Sequence, residues 1–353
     1  VFKGWLESHW RHATDCEALP VIKSFAMDKL SKHFSTEGNR LKQLADAVST
    51  TDTPLVPRLI SSMGKSCTSY VAADTAMPVS ALTRKEINLL KAWKNGGHQN
   101  TPTALDLSPL ELARQFTLIE MKIFNNIQPD ELLACEWMKN GGSTAVNVRA
   151  MCQLSNGLID LVKESILGRE EIEPKKRAAI IKHWIKIGVE CLALNNFNCL
   201  FSIYSALADS SINRLKKTWA LVSEKRKQQF AEFHHIFDAS HNKKNLRQKL
   251  AEHVPPCIPF MGLYQGDLHF YHIGNPDFKK FAGNDKQLIN FGKHIKTAHV
   301  ISEVQRFQIP YRFIEIPDLQ AWISIQIARV RAVNDGMNEA EINTKYHQRS
   351  LAV

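Results

Sequence analysis

The sequence predicts an all-α protein, and two observations carry that prediction. Apolar residues recur three and four positions apart over long stretches, as at Leu112, Phe116, Ile119 and Ile123, which is the spacing of one helix face. Helix start signals precede such runs. The segment 108–111, Ser-Pro-Leu-Glu, combines a predicted capping box with proline at the first helical position.

Three regions follow in order along the chain. Residues 1–48 are predicted to form a small helical domain, with Phe2, Trp5, Leu6 and Trp10 at helical spacing. Residues 49–103 are richer in Ser, Thr, Pro and Gly, which predicts a connector. At least one helix is expected inside it, from 86 to 94, because 83–86 reads as a capping box and 95–97 is Asn-Gly-Gly. Residues 104–353 carry the dense helical pattern of one large domain.

Proline and glycine predict a helical hairpin over about 258–307. Pro255, Pro256 and Pro259 precede its first helix, and Gly-Asn-Pro at 274–276 ends it, because proline cannot continue a helix. The second helix is predicted from 285 to 307, and the residues between the two helices form an exposed tip. Its inward face is predicted to comprise Leu288, Phe291, Ile295, Ala298, Ile301 and Val304.

Composition is that of an ordinary globular chain of 353 residues, 44% hydrophobic and 23% charged. No apolar run approaches the roughly 20 residues of a membrane span. The 7 cysteines contain no Cys-x-x-Cys pair and stand mostly in apolar context, which favours reduced core residues and a cytosolic setting. The chain opens in what reads as mid-helix, so we expect native residues to precede Val1.

The net charge is +10, from 45 basic and 35 acidic residues. Such a field can attract nucleic acid, an anionic membrane or an acidic protein surface. The basic residues are scattered, and neither an aromatic–basic RNA motif nor zinc-finger spacing is present, so no nucleic-acid partner is predicted. An acidic protein partner and an anionic membrane surface fit the charge equally well.

Three weaker signals predict no site. Gly64, Lys65 and Ser66 resemble the end of a phosphate loop, but Leu59 stands where its first glycine is required. The histidine groups lack a cysteine or carboxylate at diagnostic spacing, so no metal is predicted. No known nucleophile motif occurs, and no cofactor is predicted. The histidines concerned are His234, His235, His241, His269 and His272.

Five sequence blocks stand in order along the last 250 or so residues. They are 107–120 (LSPLELARQFTLIE), 194–198 (LNNFN), 214–219 (RLKKTW), 255–264 (PPCIPFMGLY, followed by Gly-Asn-Pro and Ile-Asn-Phe) and 307–311 (FQIPY). In this order they resemble the signature blocks of the Ras-type guanine-nucleotide exchange factors. The segment 2–10 resembles the last part of the Ras exchanger motif, the helical domain that braces the hairpin in that family.

The resemblance implies a fold, a partner and an activity. It implies a helical catalytic domain whose protruding hairpin displaces the first switch and the magnesium ion of a Ras-superfamily GTPase of the Ras, Rap or Ral branch. Such a protein releases GDP without making or breaking covalent bonds, needs no cofactor, and works in the cytoplasm or on membranes that carry its GTPase. The residues are equally compatible with a bacterial protein delivered into a host cytosol.

The same resemblance implies which hairpin residues act on the nucleotide site. The side chain that blocks the magnesium site falls at His269, beside Leu268. The family's acidic residue one turn later falls at Ile273, where this chain offers no carboxylate. An apolar Ile273 could still act by desolvating the phosphate and magnesium site. The alternative is a scaffold that binds a GTPase without ejecting its nucleotide.

A second set of residues is implied to contact the GTPase, chiefly its second switch. Lys243 and Asn213 stand where relatives often carry aromatic residues, which leaves the choice of target open. For Phe260 and Met261 ordinary core packing is the competing interpretation. Asn195, Asn196, Asn198, Gln115, Thr117 and Glu120 are interpreted as internal scaffold. The full contact set is Phe260, Met261, Gly266, Phe201, Asn213, Lys243 and Gln153.

Overall fold

The computed structural model describes residues 2–8, 10–50, 77–96, 101–139, 141–168, 172–281 and 284–353. Their regular secondary structure is helical apart from two short strands that pair with each other, which confirms the all-α class. The chain divides into two compact units, Val1–Asp74 and Thr75–Val353. No helix in the described ranges is long and apolar enough to cross a membrane.

The first unit is a set of short helices around its own apolar cluster. Leu6 and Trp10 are fully buried there, although α1 ends at Ser8 and Trp10 lies outside the helix that its spacing predicted. Trp5 donates from its indole nitrogen to Asp15 Oδ2 at 3.1 Å. Phe2 stays 36% exposed at the edge. The helices are α1 (Phe2–Ser8), α2 (His12–Asp15), α3 (Leu19–Ser24), α4 (Ser31–His33) and α5 (Ser35–Val48), with a 3-10 turn at Cys16–Ala18 and a π-helical stretch at Phe25–Leu30.

The second unit holds the larger core and the hairpin. Its α8 helix, Val146–Leu167, lies centrally and packs most extensively against the helices at Pro109–Phe124, Phe197–Ala208 and Pro317–Val333. The elements are α6 (Arg84–Asn95), α7 (Pro109–Phe124), α8, α9 (Pro174–Ala193), α10 (Phe197–Ala208), α11 (Ser210–Asn213), α12 (Lys216–Ala220), α13 (Glu224–Ile236), α14 (Ser240–Glu252), α15 (Met261–Gly274), β1 (Phe278–Phe281), β2 (Asn284–Ile289), α16 (Phe291–Arg306), α17 (Pro317–Val333) and α18 (Glu339–Leu351), with 3-10 turns at Ala104–Asp106, Pro129–Leu132 and Glu136–Met138.

Helix starts follow the sequence signals, with one exception. Thr83 and Glu86 form the predicted capping box of α6. Proline occupies the first position of α7, but the box predicted at Ser108 is wrong, because the Ser108 side chain makes no capping bond. Glu111 instead accepts from the backbone N–H of Ala81 at 2.7 Å, which draws the carboxylate away from the helix start.

The predicted connector is partly described. Its helix α6 forms as expected and adds Leu90 and Trp93 to the apolar core of the second unit. Residues 51–76 and 97–100 lie outside the described ranges, and with them the Gly-Lys-Ser segment at 64–66. The domain boundaries at 48 and 103 stay a prediction.

A buried polar framework runs beneath the hairpin and supports the scaffold interpretation for five of its six residues, all except Asn195. Asn196 Nδ2 donates to Thr117 Oγ1 at 3.0 Å, and Asn198 Nδ2 donates to Glu120 Oε1 at 3.0 Å. Gln115 Nε2 donates to the Ile314 carbonyl at 2.9 Å. All five side chains are buried. Burial raises the pKa of Glu120 to about 7, although the hydrogen bond from Asn198 opposes the shift.

Candidate functional site

The start of the hairpin is fixed to the 194–198 block by backbone hydrogen bonds. The N–H of Phe197 donates to the Ile258 carbonyl at 2.9 Å, and the N–H of Ile258 donates to the Asn195 carbonyl at 3.0 Å. Asn195 adopts a left-handed conformation with φ +57°, which turns the chain between α9 and α10. The N–H of Met261 lies 3.4 Å from Asn198 Oδ1, so the first turn of α15 sits on the buried polar framework.

The base of the hairpin is part of the protein core. Leu263 and Leu268 of α15 and Val300 and Val304 of α16 are each at most 7% exposed. The two helices pack against each other along this stretch. The apolar area buried here stabilises the fold and holds the hairpin at a fixed position.

The far end of the hairpin is a strand pair where the sequence predicted the start of a helix. Strand β2 covers 284–289, so the prediction that the second helix begins at 285 is wrong, and α16 begins at Phe291. Asn290 explains the boundary: its side chain donates to the Pro276 carbonyl at 2.9 Å and its N–H donates to the Asp277 carbonyl at 2.7 Å. These bonds close the strand pair and compete with helix formation.

The predicted inward face of the second helix is correct near the base and wrong beyond it. Ile301 and Val304 are buried. Leu288 lies on β2, and it is exposed, as are Phe291, Ile295 and Ala298. The reason is geometric: beyond the base, no third element among the described residues of this unit covers the outer faces of α15 and α16.

An exposed apolar strip therefore runs along the distal hairpin. Phe270 and Ile273 of α15 are 70% and 69% exposed, and Phe291 of α16 is 66% exposed. A surface of this kind usually marks an interaction site. The strip comprises Phe270, Ile273, Phe278, Leu288, Ile289, Phe291 and Ile295.

Lys293 joins the two helices just below the strand pair. Its ammonium group donates to the His272 carbonyl at 3.1 Å and to Asp277 Oδ1 at 2.7 Å, and the side chain is buried. The hydrogen bond from Lys293 lowers the pKa of the Asp277 carboxyl. Six other basic side chains that the structure describes in the distal hairpin are exposed: His272, Lys279, Lys280, His294, Lys296 and His299.

The three residues predicted to act on the nucleotide site have different surroundings. Leu268 is a core residue, 3% exposed, and supports the helix from inside. His269 is half-buried, with its Nδ1 atom 3.9 Å from Cys135 Sγ. Ile273 is exposed, one turn further along α15. Of these three residues, His269 and Ile273 therefore have side-chain surface that a partner can reach, and Leu268 does not.

Phe201 and Phe260 form one aromatic surface at the hairpin base. Their rings stack with centroids 3.8 Å apart, and Phe237 meets Phe201 edge-on at 5.2 Å. Both stacked side chains are half-buried, so part of each ring remains accessible. Met261 is 2% exposed, which supports the core-packing interpretation for this residue.

The structure brings two further predicted contacts together and leaves two apart. Lys243 and Gly266 line the same cavity of about 490 Å³ beside α15. Asn213 ends α11 and Gln153 lies on α8, and both are exposed. Within the described residues no hydrogen bond joins either of them to the cavity.

Sequence reasoning missed Phe270, the thiols beside α15, and the ion pair of Arg247 with Asp267. Phe270 could have been found, because with Leu268 inward the helical period places Phe270 and Ile273 outward. The thiol contacts, Cys135 with His269 and Cys152 with Gln265 at 3.4 Å, join residues more than 100 positions apart and give no local signal.

Comparison with known proteins identifies the family. The profile of the RasGEF domain matches residues 111–295, just over half of the chain. The chain belongs to the RasGEF family. The matched segment of this RasGEF chain contains α15, the strand pair and the first turns of α16.

Curated RasGEF relatives cover the same region. A Candida albicans protein named cell division control protein 25 is 31% identical over 74% of this chain and 19% of its own length. The Danio rerio Ras-specific guanine nucleotide-releasing factor 2 is 33% identical over 62% of this chain and 17% of its own length. Dictyostelium discoideum Ras guanine nucleotide exchange factor P is 34% identical over 62% of this chain and 14% of its own. The chain therefore spans less than a fifth of these relatives.

Proposed function

We propose that this chain is a guanine-nucleotide exchange factor that accelerates GDP release from a Ras-superfamily GTPase, of the Ras, Rap or Ral branch. The observation that carries the proposal is the distal hairpin, where apolar side chains stand exposed on two helices whose base is locked into the core. The RasGEF match and the names of the relatives, which refer to Ras, support the partner class.

The proposed mechanism is differential binding. A GTPase holds its nucleotide with a phosphate loop, a magnesium ion and mobile switch segments. A catalyst of release must bind the nucleotide-free form better than the loaded form. The strip around Phe270 and Ile273 displaces the first switch, and His269 occupies the space beside the magnesium ion.

The second switch docks at the hairpin base, where Phe201 and Phe260 supply accessible aromatic area. Burial of that area offsets the binding energy that the GTPase gives up when its nucleotide departs. The chain makes and breaks no covalent bond in this scheme and needs no cofactor of its own. GTP follows GDP because it is the more abundant nucleotide in cells.

The test is release of a fluorescent GDP analogue from Ras, Rap, Ral and Rho-branch GTPases, in excess unlabelled nucleotide. The wild-type protein is compared with His269→Ala and with His272→Ala, a matched control whose exposed side chain lies one turn further along α15. We expect accelerated release from one branch, a loss of at least tenfold in His269→Ala, and little change in His272→Ala. Equal activity of all three proteins would remove His269 from the mechanism.

A binding-only scaffold is the second candidate, and Ile273 is the observation that favours it. Asp267, the carboxylate of α15, is held by both terminal nitrogens of Arg247 at 2.8 Å and is not free to meet a phosphate loop. A scaffold would form a stable complex with a GTPase and leave its GDP release rate unchanged. Binding to anionic vesicles that weakens with salt, with no GTPase complex, would instead indicate a membrane adaptor.

A further inference from the structure

The cavity beside α15 has an unusual wall. The chain at the start of α14 turns through three consecutive left-handed residues: His241, Asn242 and Lys243 have φ values of 48°, 56° and 56°. None of them is glycine, and each left-handed non-glycine residue costs about 1–2 kcal/mol. Such strained turns are retained where the surrounding structure fixes them, often at ligand-binding sites.

Arg247 fixes this turn to the hairpin. Its Nε atom donates to the Asn242 carbonyl at 2.8 Å. Its two terminal nitrogens donate to the two carboxylate oxygens of Asp267 on α15, each at 2.8 Å. This two-point geometry is specific to arginine and holds the turn at a set distance from the hairpin helix.

Once Arg247 has paired with Asp267, the positive charge of Lys243 remains in the cavity. Asp267 is the carboxylate that lines it, and Arg247 compensates that charge. Lys243 also lines the cavity and is half-buried. Among the described residues no ion pair involves Lys243, so the cavity presents an ammonium group without a counter-ion.

Two glycines of α15 shape the cavity in different ways. A Cβ atom at Gly262 would lie 2.4 Å from the ring of Phe260, so this glycine makes room for the aromatic surface. A Cβ atom at Gly266 would meet nothing within 4 Å. Gly266 therefore leaves the floor of the cavity open, while Phe270 and Tyr271 form an apolar wall.

We propose that this cavity accepts an acidic side chain of the GTPase, with Lys243 as its charge partner, and that this pair selects the target. The inference rests on the proposed function and deepens it. The open floor at Gly266 admits the side chain, the apolar wall packs against its methylene groups, and the partly buried ammonium group pairs with its carboxylate. A GTPase with a neutral or basic residue at that position leaves Lys243 desolvated and unpaired, which weakens binding.

The first experiment uses the GTPase that responds to the wild-type protein. Lys243→Glu is compared with Lys244→Glu, which introduces the same charge at the neighbouring exposed residue outside the cavity. We expect Lys243→Glu to raise KM for the GTPase about tenfold or more with kcat little changed, and Lys244→Glu to change KM less than about twofold. Equal effects of the two variants would overturn the proposal.

A second set of variants fills the cavity without changing its charge. Gly266→Ala adds one carbon in open space and is the control for folding, with an unchanged thermal midpoint expected. Gly266→Leu should occupy the floor, keep the thermal midpoint, and raise KM about tenfold. Full exchange activity in a folded Gly266→Leu protein would contradict the proposal.

A charge swap identifies the partner residue. Exposed acidic residues of the GTPase are changed to lysine one at a time, and each variant is assayed with the wild-type protein and with Lys243→Glu. We expect one such variant to respond poorly to the wild type and to regain exchange with Lys243→Glu. If no swap restores exchange, or if Lys243→Glu loses only its binding to anionic vesicles, the proposed pair does not exist.

The failure of this inference and that of the proposed function are distinguishable. Normal wild-type exchange with an insensitive Lys243→Glu variant removes the inferred pair and leaves the function in place. No wild-type exchange on any GTPase in the panel refutes the function and the pair together.

Discussion

The base and the distal end of the hairpin are built from the same two helices but have opposite surroundings. At the base, Leu268 and Val304 are 3% and 0% exposed. At the distal end, Phe270 and Ile295 are 70% and 55% exposed. The residue types are equally apolar, so the difference lies in their neighbours: the body of the domain covers the base and nothing in the described part of the same unit covers the far end.

Along this one hairpin, the residues that stabilise the fold are therefore distinct from those proposed to contact the partner. Burial of a large apolar side chain contributes about 1.5–3 kcal/mol, and at the base that contribution is already part of the stability of the free protein. At the distal end the same contribution would be gained only when a partner binds and buries these side chains. Substitutions at the two ends should therefore be read out by different measurements.

The largest effect is expected at the base. Leu268→Ala should reduce the free energy of unfolding by about 3 kcal/mol, because it removes buried area and leaves a cavity. Denaturant unfolding measures it. The matched distal variant Ile295→Ala should cost less than about 0.5 kcal/mol. Equal costs would mean that the two ends do not differ in packing.

The next effect is expected in exchange rather than in stability. Phe270→Ala should leave the thermal midpoint unchanged and lower kcat/KM for GDP release about thirtyfold, which corresponds to about 2 kcal/mol for a central aromatic contact. Leu221→Ala, at an exposed apolar residue outside the hairpin, is the control and should have no effect. A drop in stability of similar size would place Phe270 in the fold instead.

A smaller effect should depend on pH through Glu120, beneath the hairpin base. The pKa of its carboxyl is about 7 in the folded protein and about 4.5 in the unfolded chain, so the folded state binds more protons between these values. Its contribution is full below pH 4.5, and the free energy of unfolding should fall as pH rises to 7, by on the order of 1 kcal/mol per unit.

Glu120→Gln removes the titration and should flatten this fall, which unfolding measured at several pH values would show. An unchanged slope in Glu120→Gln would indicate that Glu120 is not the titrating group. Ile295→Ala should keep the wild-type slope, because Ile295 lies at the distal end and does not touch the buried framework.

The smallest effect is expected at Ile273, and it distinguishes exchanger from scaffold. If the apolar side chain already serves exchange, Ile273→Glu should change the rate of GDP release less than about threefold, or lower it. A threefold change in rate corresponds to under about 1 kcal/mol. Under the scaffold alternative the added carboxylate should raise release. Ile273→Gln, similar in size and uncharged, separates the effect of charge from that of lost apolar area.

Local patterns predicted the helices but not the strand pair of the distal hairpin. Proline at 109 and the Thr83–Glu86 box predicted helix starts because those signals act within one turn. Asn196 and Asn198 were interpreted as internal scaffold, and both are buried, but their side-chain partners Thr117 and Glu120 were not predicted. The strand pair was missed because Leu288, Phe291 and Ile295 have helical spacing, while Asn290 ends the pair through bonds to residues 13 and 14 positions earlier.

The local sequence pattern did not predict two parts of the site, the left-handed turn and the ion pair that holds it. The left-handed turn at 241–243 contains neither glycine nor proline, the strongest turn signals, and Asn242 alone did not predict it. It is held by Arg247, whose partner Asp267 lies 20 residues further along the chain. Long-range pairing of this kind becomes visible only when the helices are placed in space.

The two thiols beside α15 offer a way to measure movement of the hairpin. Cys135 lies against His269, and Cys152 contacts Gln265 one turn earlier on the same helix. Burial raises the pKa of the Cys135 thiol, which disfavours the thiolate that alkylating reagents attack. A tilt of the helix away from the body would expose this sulfur, so the rate of alkylation at Cys135 would record how often the hairpin leaves its resting position.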